Sequence, residues 1–225
     1  MRPQLPLPPF ALLSLICLFP DLAFAIRWYF LRYWTPPGQE FLSLRGNMHV
    51  PRLPRGGIYY LWPGLQATDS SGVYQNVLDG TSGTWQFLNI WCCSNPTIPW
   101  GVGFNATEGQ SLSFVNTRRR RGWTSTLRGP EKDQFAFDRF PLLSNKTFNQ
   151  ALFAIELHDE NWDFGPLEFS NIVIISSGPS AEWCNDSPEN YSHNARYEIR
   201  GVDSIMLNDN VVACTIEYIG LLGPS

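Results

Sequence analysis

A carboxylate and a carboxamide stand out in otherwise apolar, alternating segments. In Ala151-Leu152-Phe153-Ala154-Ile155-Glu156-Leu157-His158, an extended chain puts Phe153, Ile155 and Leu157 on one face and Ala154, Glu156 and His158 on the other. The first face reads as core. Glu156 then projects from the opposite face beside small Ala154, with room for a ligand over the sheet. In Gly72-Val73-Tyr74-Gln75-Asn76-Val77-Leu78, the Gln75 amide sits mid-strand between β-branched residues and must find hydrogen-bond partners if covered. A Glu and a Gln brought together can hydrolyse: the carboxylate takes a proton from water as general base, and the amide N–H holds the developing oxyanion. Neither group needs a cofactor, and none is expected.

Two other constellations compete. Glu156, His158 and Glu160 share a face at i, i+2 and i+4 if the strand runs that far. A carboxylate pair of that kind serves glycoside hydrolysis when its members stand about 5–5.5 Å apart. Asp159-Glu160-Asn161-Trp162-Asp163 also reads as a turn, which takes Glu160 off the strand. Trp85, Phe87, Asn89 and Trp91 alternate on one strand face, as a stacking platform for a glycan-binding, lectin-like protein or as core packing.

The elements that must position these residues follow from composition and pattern. The chain has 225 residues, 44% hydrophobic and 14% aromatic but only 16% charged, with 18 Gly and 18 Pro. Those values exclude a disordered chain or a coiled coil and favour a turn-rich β protein. A net charge of −4 gives no general basic field, so neither nucleic acid nor a membrane is an expected partner. Short runs bounded by turn residues follow one another: Ile58 to Trp62, Gly72 to Leu78, Thr84 to Cys92, Ser111 to Asn116, Ala151 to His158, Leu167 to Ile175, Ala195 to Arg200 and Val211 to Tyr218. Such spacing predicts an all-β, antiparallel two-sheet sandwich over residues 58–225. A domain of this size buries about 70% of its unfolded surface, so it needs no partner for stability and is expected as a monomer. The Arg118-Arg119-Arg120-Arg121-Gly122 run reads as a solvated hairpin tip.

Residues 1–25 have the three parts of a secretory signal: Arg2, an apolar stretch from Phe10 to Phe19, and Ala23-Phe24-Ala25 as the cleavage site. Residues 26–57, rich in Arg, Pro and aromatics without a steady period, read as a lead-in or pro-like segment. Secretion leaves Cys92, Cys93, Cys184 and Cys214, an even number in an oxidising route, with three possible connectivities if all pair. Strand neighbours point to opposite faces, so Cys92 and Cys93 are expected to have different partners, or one to stay free. No His stands at ligand spacing from a Cys pair, so no metal site is expected. Sequons at Asn105, Asn145, Asn185 and Asn190 agree with a secreted, extracellular glycoprotein.

Order and spacing over most of residues 58–219 resemble the glutamic peptidases of the eqolisin family, secreted acid proteases with a concanavalin A-like, jelly-roll β-sandwich. Trp62-Pro63-Gly64-Leu65-Gln66 is similar to the family's Trp-x-Gly-Ile-Asp segment, and Gly72 to Val77 to the strand bearing its catalytic Gln. Trp85 to Trp91, then Ala106 to Leu112, resemble its aromatic strand and the turn that follows. Ala151 to Glu156 resembles its Ala-Glu-aromatic-Ile-x-Glu strand, whose second Glu is catalytic. The resemblance implies that Glu156 activates water and Gln75 polarises the scissile carbonyl of a polypeptide substrate. Trp62, Gln66, Trp85, Asn89, Trp91 and His158 are then the candidate substrate contacts. The chain departs from the pattern where Leu152 replaces the first Glu, Gln66 a supporting Asp, and Asn89 or Ile90 falls near a supporting Glu. The rival carboxylate set is similar to the Glu-x-Asp-x-Glu strand of sandwich-fold β-glucanases, with His158 in place of the central Asp. The reading is thus a glutamic-type acid endopeptidase, with a glycan-binding protein or a glycoside hydrolase acting on polysaccharide as alternatives.

Overall fold

Each segment expected as a strand is one, because alternating apolar residues give each a face to bury. The structure is a computed structural model that describes residues 25–93, 95–191 and 195–224; the expected signal, apart from Ala25, lies outside them. One antiparallel sheet contains β1 (Ile26–Trp34), β3 (Ile58–Ala67), β4 (Gly72–Asp79), β5 (Trp85–Cys93), β6 (Gly103–Ala106), β10 (Phe148–His158) and β12 (Glu189–Asn190). Their spatial order is β12-β1-β10-β3-β4-β5-β6. The other contains β2 (Phe41–His49), β7 (Ser111–Arg119), β8 (Gly122–Arg128), β9 (Phe135–Phe140), β11 (Leu167–Ser177), β13 (Ala195–Asn208) and β14 (Val211–Pro224). Its order is β13-β14-β11-β2-β7-β8-β9. A single helical turn, α1 (Glu182–Asn185), precedes β12.

Residues 26–57 correct the expected lead-in. They supply β1, between β12 and β10, and β2, between β11 and β7. Their period was hidden because both faces of β1 are apolar: Tyr29, Leu31 and Tyr33 enter the core, while Trp28, Phe30 and Trp34 lie on the opposite face. In β2, pairing with β11 shifts between Ile175 and Ser176, so the alternation changes phase near Ser43. Removing this segment would take an internal strand from each sheet.

The core between the sheets includes Leu31, Phe41, Tyr59, Tyr74, Phe114, Trp123 and Phe153, each such side chain contributing about 1.5–3 kcal/mol by its burial. A polar knot crosses it. Asn76 Nδ2 donates to Asn89 Oδ1 at 3.0 Å and to Ser125 Oγ at 2.9 Å, and Asn116 Nδ2 donates to Asn76 Oδ1 at 2.8 Å. Asn76, Asn89, Asn116 and Ser125 are fully buried, so the knot ties β4 and β5 to β7 and β8 directly behind Gln75. Asn116→Ala, which strips Asn76 Oδ1 of its donor, is expected to lower unfolding free energy by about 1–3 kcal/mol. Urea denaturation measures it; an unchanged midpoint would mean that water replaces the lost partner.

Candidate functional site

Strand register decides what surrounds Glu156. On the outer face of the first sheet, β1, β10, β3 and β4 present level rows: Trp28, Glu156, Tyr60 and Asp79 in one, and Arg32, Leu152, Gly64 and Gln75 in another. Phe30, Ala154 and Trp62 lie between these rows. Gln75 is thus diagonal to Glu156 across β3, level with Leu152. The line between them crosses β3 at Trp62, and Ala154 and Gly64, which carry little or no side chain, leave space on either side of that ring. Gly64 keeps this approach tight: a Cβ would lie 3.0 Å from Gln75 Cβ and 3.1 Å from the Tyr74 carbonyl oxygen.

Both side chains face the same space. Gln75 and Glu156 line a groove of about 330 Å³ whose walls include Trp28, Phe30, Trp62 and Tyr191. They also line an adjoining recess of about 70 Å³ with Tyr60, Val77 and Trp100, room for a few water molecules. Aromatic rings stiffen the walls: Trp28 meets Trp62 edge-on at 6.5 Å, Phe30 stacks on Tyr191 at 4.4 Å, and Tyr60 meets Trp100 at 6.3 Å. At the far end, Arg32 is held by Glu189 at 2.7 Å and by Gln150 at 3.0 Å.

Glu156 is mostly covered, with 14% of its side chain exposed, and its Oε1 lies 2.6 Å from His158 Nε2. Burial raises its pKa above the ordinary carboxylate value, while His158, by hydrogen bond and charge, and the Trp62 indole oppose the rise. The Trp62 N–H is buried without a well-formed hydrogen bond, so His158 is the stronger of the two opposing partners. The raised pKa means the folded state holds this proton more tightly than the unfolded chain. Its contribution to stability is present at low pH and is lost as pH rises through the folded pKa. His158→Phe keeps the burial but removes the opposing hydrogen bond and charge, so the Glu156 pKa is expected to rise further. Carbon NMR titration of its carboxyl reads the shift; a fall would refute this account.

Trp62, Gln66 and His158 stand on the groove side of the sheet, Trp62 and Gln66 lining the groove and His158 bound to Glu156. Trp85, Asn89 and Trp91 do not. They face inward, because Leu88, Ile90 and Cys92 take the face level with Val77, Gln75 and Val73, and a one-residue phase selects the face of every residue in a strand. Trp85 donates to the Pro51 carbonyl, Trp91 to the Pro96 carbonyl, and Asn89 joins the buried knot. The aromatic platform of a lectin-like surface is therefore core.

Glu160 also leaves the face. β10 ends at His158, Asp159 adopts φ 57°, and Glu160 pairs with Arg55 and accepts from the Tyr59 hydroxyl at 3.1 Å. Tyr59 is a core residue, so the two-carboxylate arrangement of a glycoside hydrolase does not form on the Glu156 face. Cys184 is joined to Cys214, while Cys92 and Cys93 line the groove beside Val73. Pattern reading missed Trp28, Phe30, Tyr60 and Tyr191. The first two were legible as alternate residues of Trp28-Tyr29-Phe30; Tyr191 had no local signal.

No protein-family model matches the chain, and no curated protein matches it in sequence. Solved structures do. The structure of scytalido-glutamic peptidase with a peptide-based transition-state analogue aligns with TM-score 0.52 and 15% identity, over 86% of this chain and 99% of that one. The same peptidase with a transition-state analogue inhibitor aligns with TM-score 0.52 and 16% identity, at the same coverage. A third structure, SCP-B of the eqolisin family in complex with the tripeptide Ala-Ile-His, has TM-score 0.46 and 15% identity over 86% and 98%. The chain is a two-sheet antiparallel β-sandwich with the fold of scytalido-glutamic peptidase.

Proposed function

We propose that the chain is a secreted, divergent endopeptidase of the glutamic type. The observation that carries this reading is the recess shared by Glu156 and Gln75, on a fold seen in a peptidase that binds peptide-based transition-state analogues. In this mechanism a water in the recess loses a proton to Glu156 as its oxygen attacks the scissile carbonyl carbon. The Gln75 side-chain N–H stabilises the oxyanion. Protonated Glu156 then gives the proton to the leaving nitrogen as the C–N bond breaks. The aromatic walls would hold a polypeptide along the groove, as apolar pockets with a few polar groups do.

Secretion fits the exposed sequon residues Asn105, Asn145 and Asn185. At Asn190 the side-chain nitrogen is already donated to the Ala195 carbonyl at 2.8 Å. No helix among the described residues is long and apolar enough to cross a membrane.

One observation favours a second reading, a binding protein without hydrolysis: the neighbours of the dyad are Leu152 and Ile90, where the resembling family carries acids or stands close to one. Incubation of the secreted protein with an unfolded polypeptide from about pH 2 to 7, followed by mass spectrometry of new termini, separates the two. Cleavage supports the peptidase. Intact substrate at every pH, with the polypeptide retained by the protein, supports the binder.

A further inference from the structure

The Arg118–Arg121 run does form the β7–β8 turn, on the sheet away from the groove. Tertiary pairing adds a partner that the run alone does not reveal. β9 lies against β8 with Arg139 opposite Thr124, bringing a further arginine from a distant segment. Arg119, Arg121 and Arg139, with Thr124 and Phe137, line a pocket of about 380 Å³. Arg118 is held by Glu40. Among the described residues no carboxylate pairs with Arg119, Arg121 or Arg139. Asp138 is turned inward to the Asn89 amide and the Val102 N–H. Glu131 and Asp133 lie at the opposite end of the β8–β9 hairpin, about 20 Å away at 3.3 Å per residue.

Each guanidinium presents a planar fork of donors suited to a tetrahedral oxyanion. Three forks around one concavity, with no internal acid, leave those donors to solvent or to an anionic ligand. The Phe137 ring, with the Arg139 guanidinium 5.6 Å from its centroid, adds an apolar wall, and Thr124 adds a hydroxyl. We propose that this pocket binds a sugar bearing a sulfate or phosphate ester. The ester takes the guanidinium forks, the C–H face of the ring lies on Phe137, and a ring hydroxyl meets Thr124. The volume suits one such unit. Single-stranded nucleic acid instead uses successive aromatic platforms along a continuous basic track; Phe135, the other exposed ring on this face of β9, lies outside the pocket under Arg128, and a chain of net charge −4 supplies no wider basic field. The site is independent of the groove and of the peptidase reading.

The test is calorimetric titration of the secreted protein with a sulfated disaccharide, a sugar phosphate, the same sugars without esters, inorganic phosphate and a short oligothymidylate. The esters are expected to bind and the unesterified sugars not; the tighter of the two esters identifies the source. Arg121→Ala and Arg139→Ala should each weaken binding about tenfold. Arg139→Lys should lose less, since charge remains without the fork. Arg128→Ala, at the far end of β8, should change nothing. Equal loss at Arg128 would overturn the site in favour of diffuse charge. Inorganic phosphate binding as tightly as the sugar esters would remove the sugar, tighter oligothymidylate binding would replace it with nucleic acid, and absence of binding by any ester would reject the proposal. Circular dichroism confirms that each variant is folded.

Discussion

Glu156→Gln is expected to lower kcat for polypeptide hydrolysis by about 10²–10⁴-fold, the range for losing a positioned general base. The substitution keeps the shape of the side chain and removes its ability to take a proton. KM should change little, because the groove walls remain. Stability should not fall, since the variant no longer buries an ionised carboxylate whose pKa burial raises. Gln75→Ala is expected to cost about 10²–10³-fold, as for loss of one oxyanion donor. The double variant should lose less than the product of the two, because the residues act on one water and one carbonyl. Steady-state kinetics on a fluorogenic peptide, with thermal unfolding of each variant alongside, measures all three. A Glu156→Gln protein that folds and keeps a tenth or more of its activity would end the glutamic mechanism.

Removing the Cys184–Cys214 bridge as a double serine variant is expected to cost about 3–4 kcal/mol of unfolding free energy. That follows from the sequence separation of 30 that it closes and the chain-entropy estimate for such a loop. The effect should reach the groove. The bridged loop carries β12, whose Glu189 and Asn190 pair with Arg32 and Leu31 of β1, and Tyr191, which stacks on Phe30. Loosening it should raise KM for polypeptide more than it lowers kcat. Urea denaturation under non-reducing conditions and parallel kinetics check both parts. A loss below about 1 kcal/mol would mean that residual structure already restricts this loop in the unfolded chain without the bridge, and an unchanged KM would remove Tyr191 from the groove wall's function.

Legibility differed between residues that look alike. Glu156 could be read from its own strand because Phe153, Ile155 and Leu157 are all buried, leaving one face for the carboxylate. Trp85 and Trp91 could not: in β5 both alternating sets are largely apolar, Trp85, Phe87 and Trp91 on one side and Leu88 and Ile90 on the other. Local pattern then carries no sign of which set faces out. Glu160 depended on where one strand ended, and element ends are set by turn geometry and partners as much as by pattern. The Arg32–Glu189 pair joins residues 157 apart in sequence, beyond any local signal.

By itself the sequence determined the β class, the turn-bounded strands and the presence of a carboxylate and a carboxamide within apolar strands, because alternation and residue chemistry are local properties. Only the tertiary structure decided that residues 26–57 are internal strands, that Gln75 lies diagonal to Glu156 with Leu152 beside it, and that Arg139 joins the arginine turn. The physical reason is register. In a sandwich, neighbours within a sheet come from distant parts of the chain, and which residues stand level is selected by burial of whole faces against the opposite sheet.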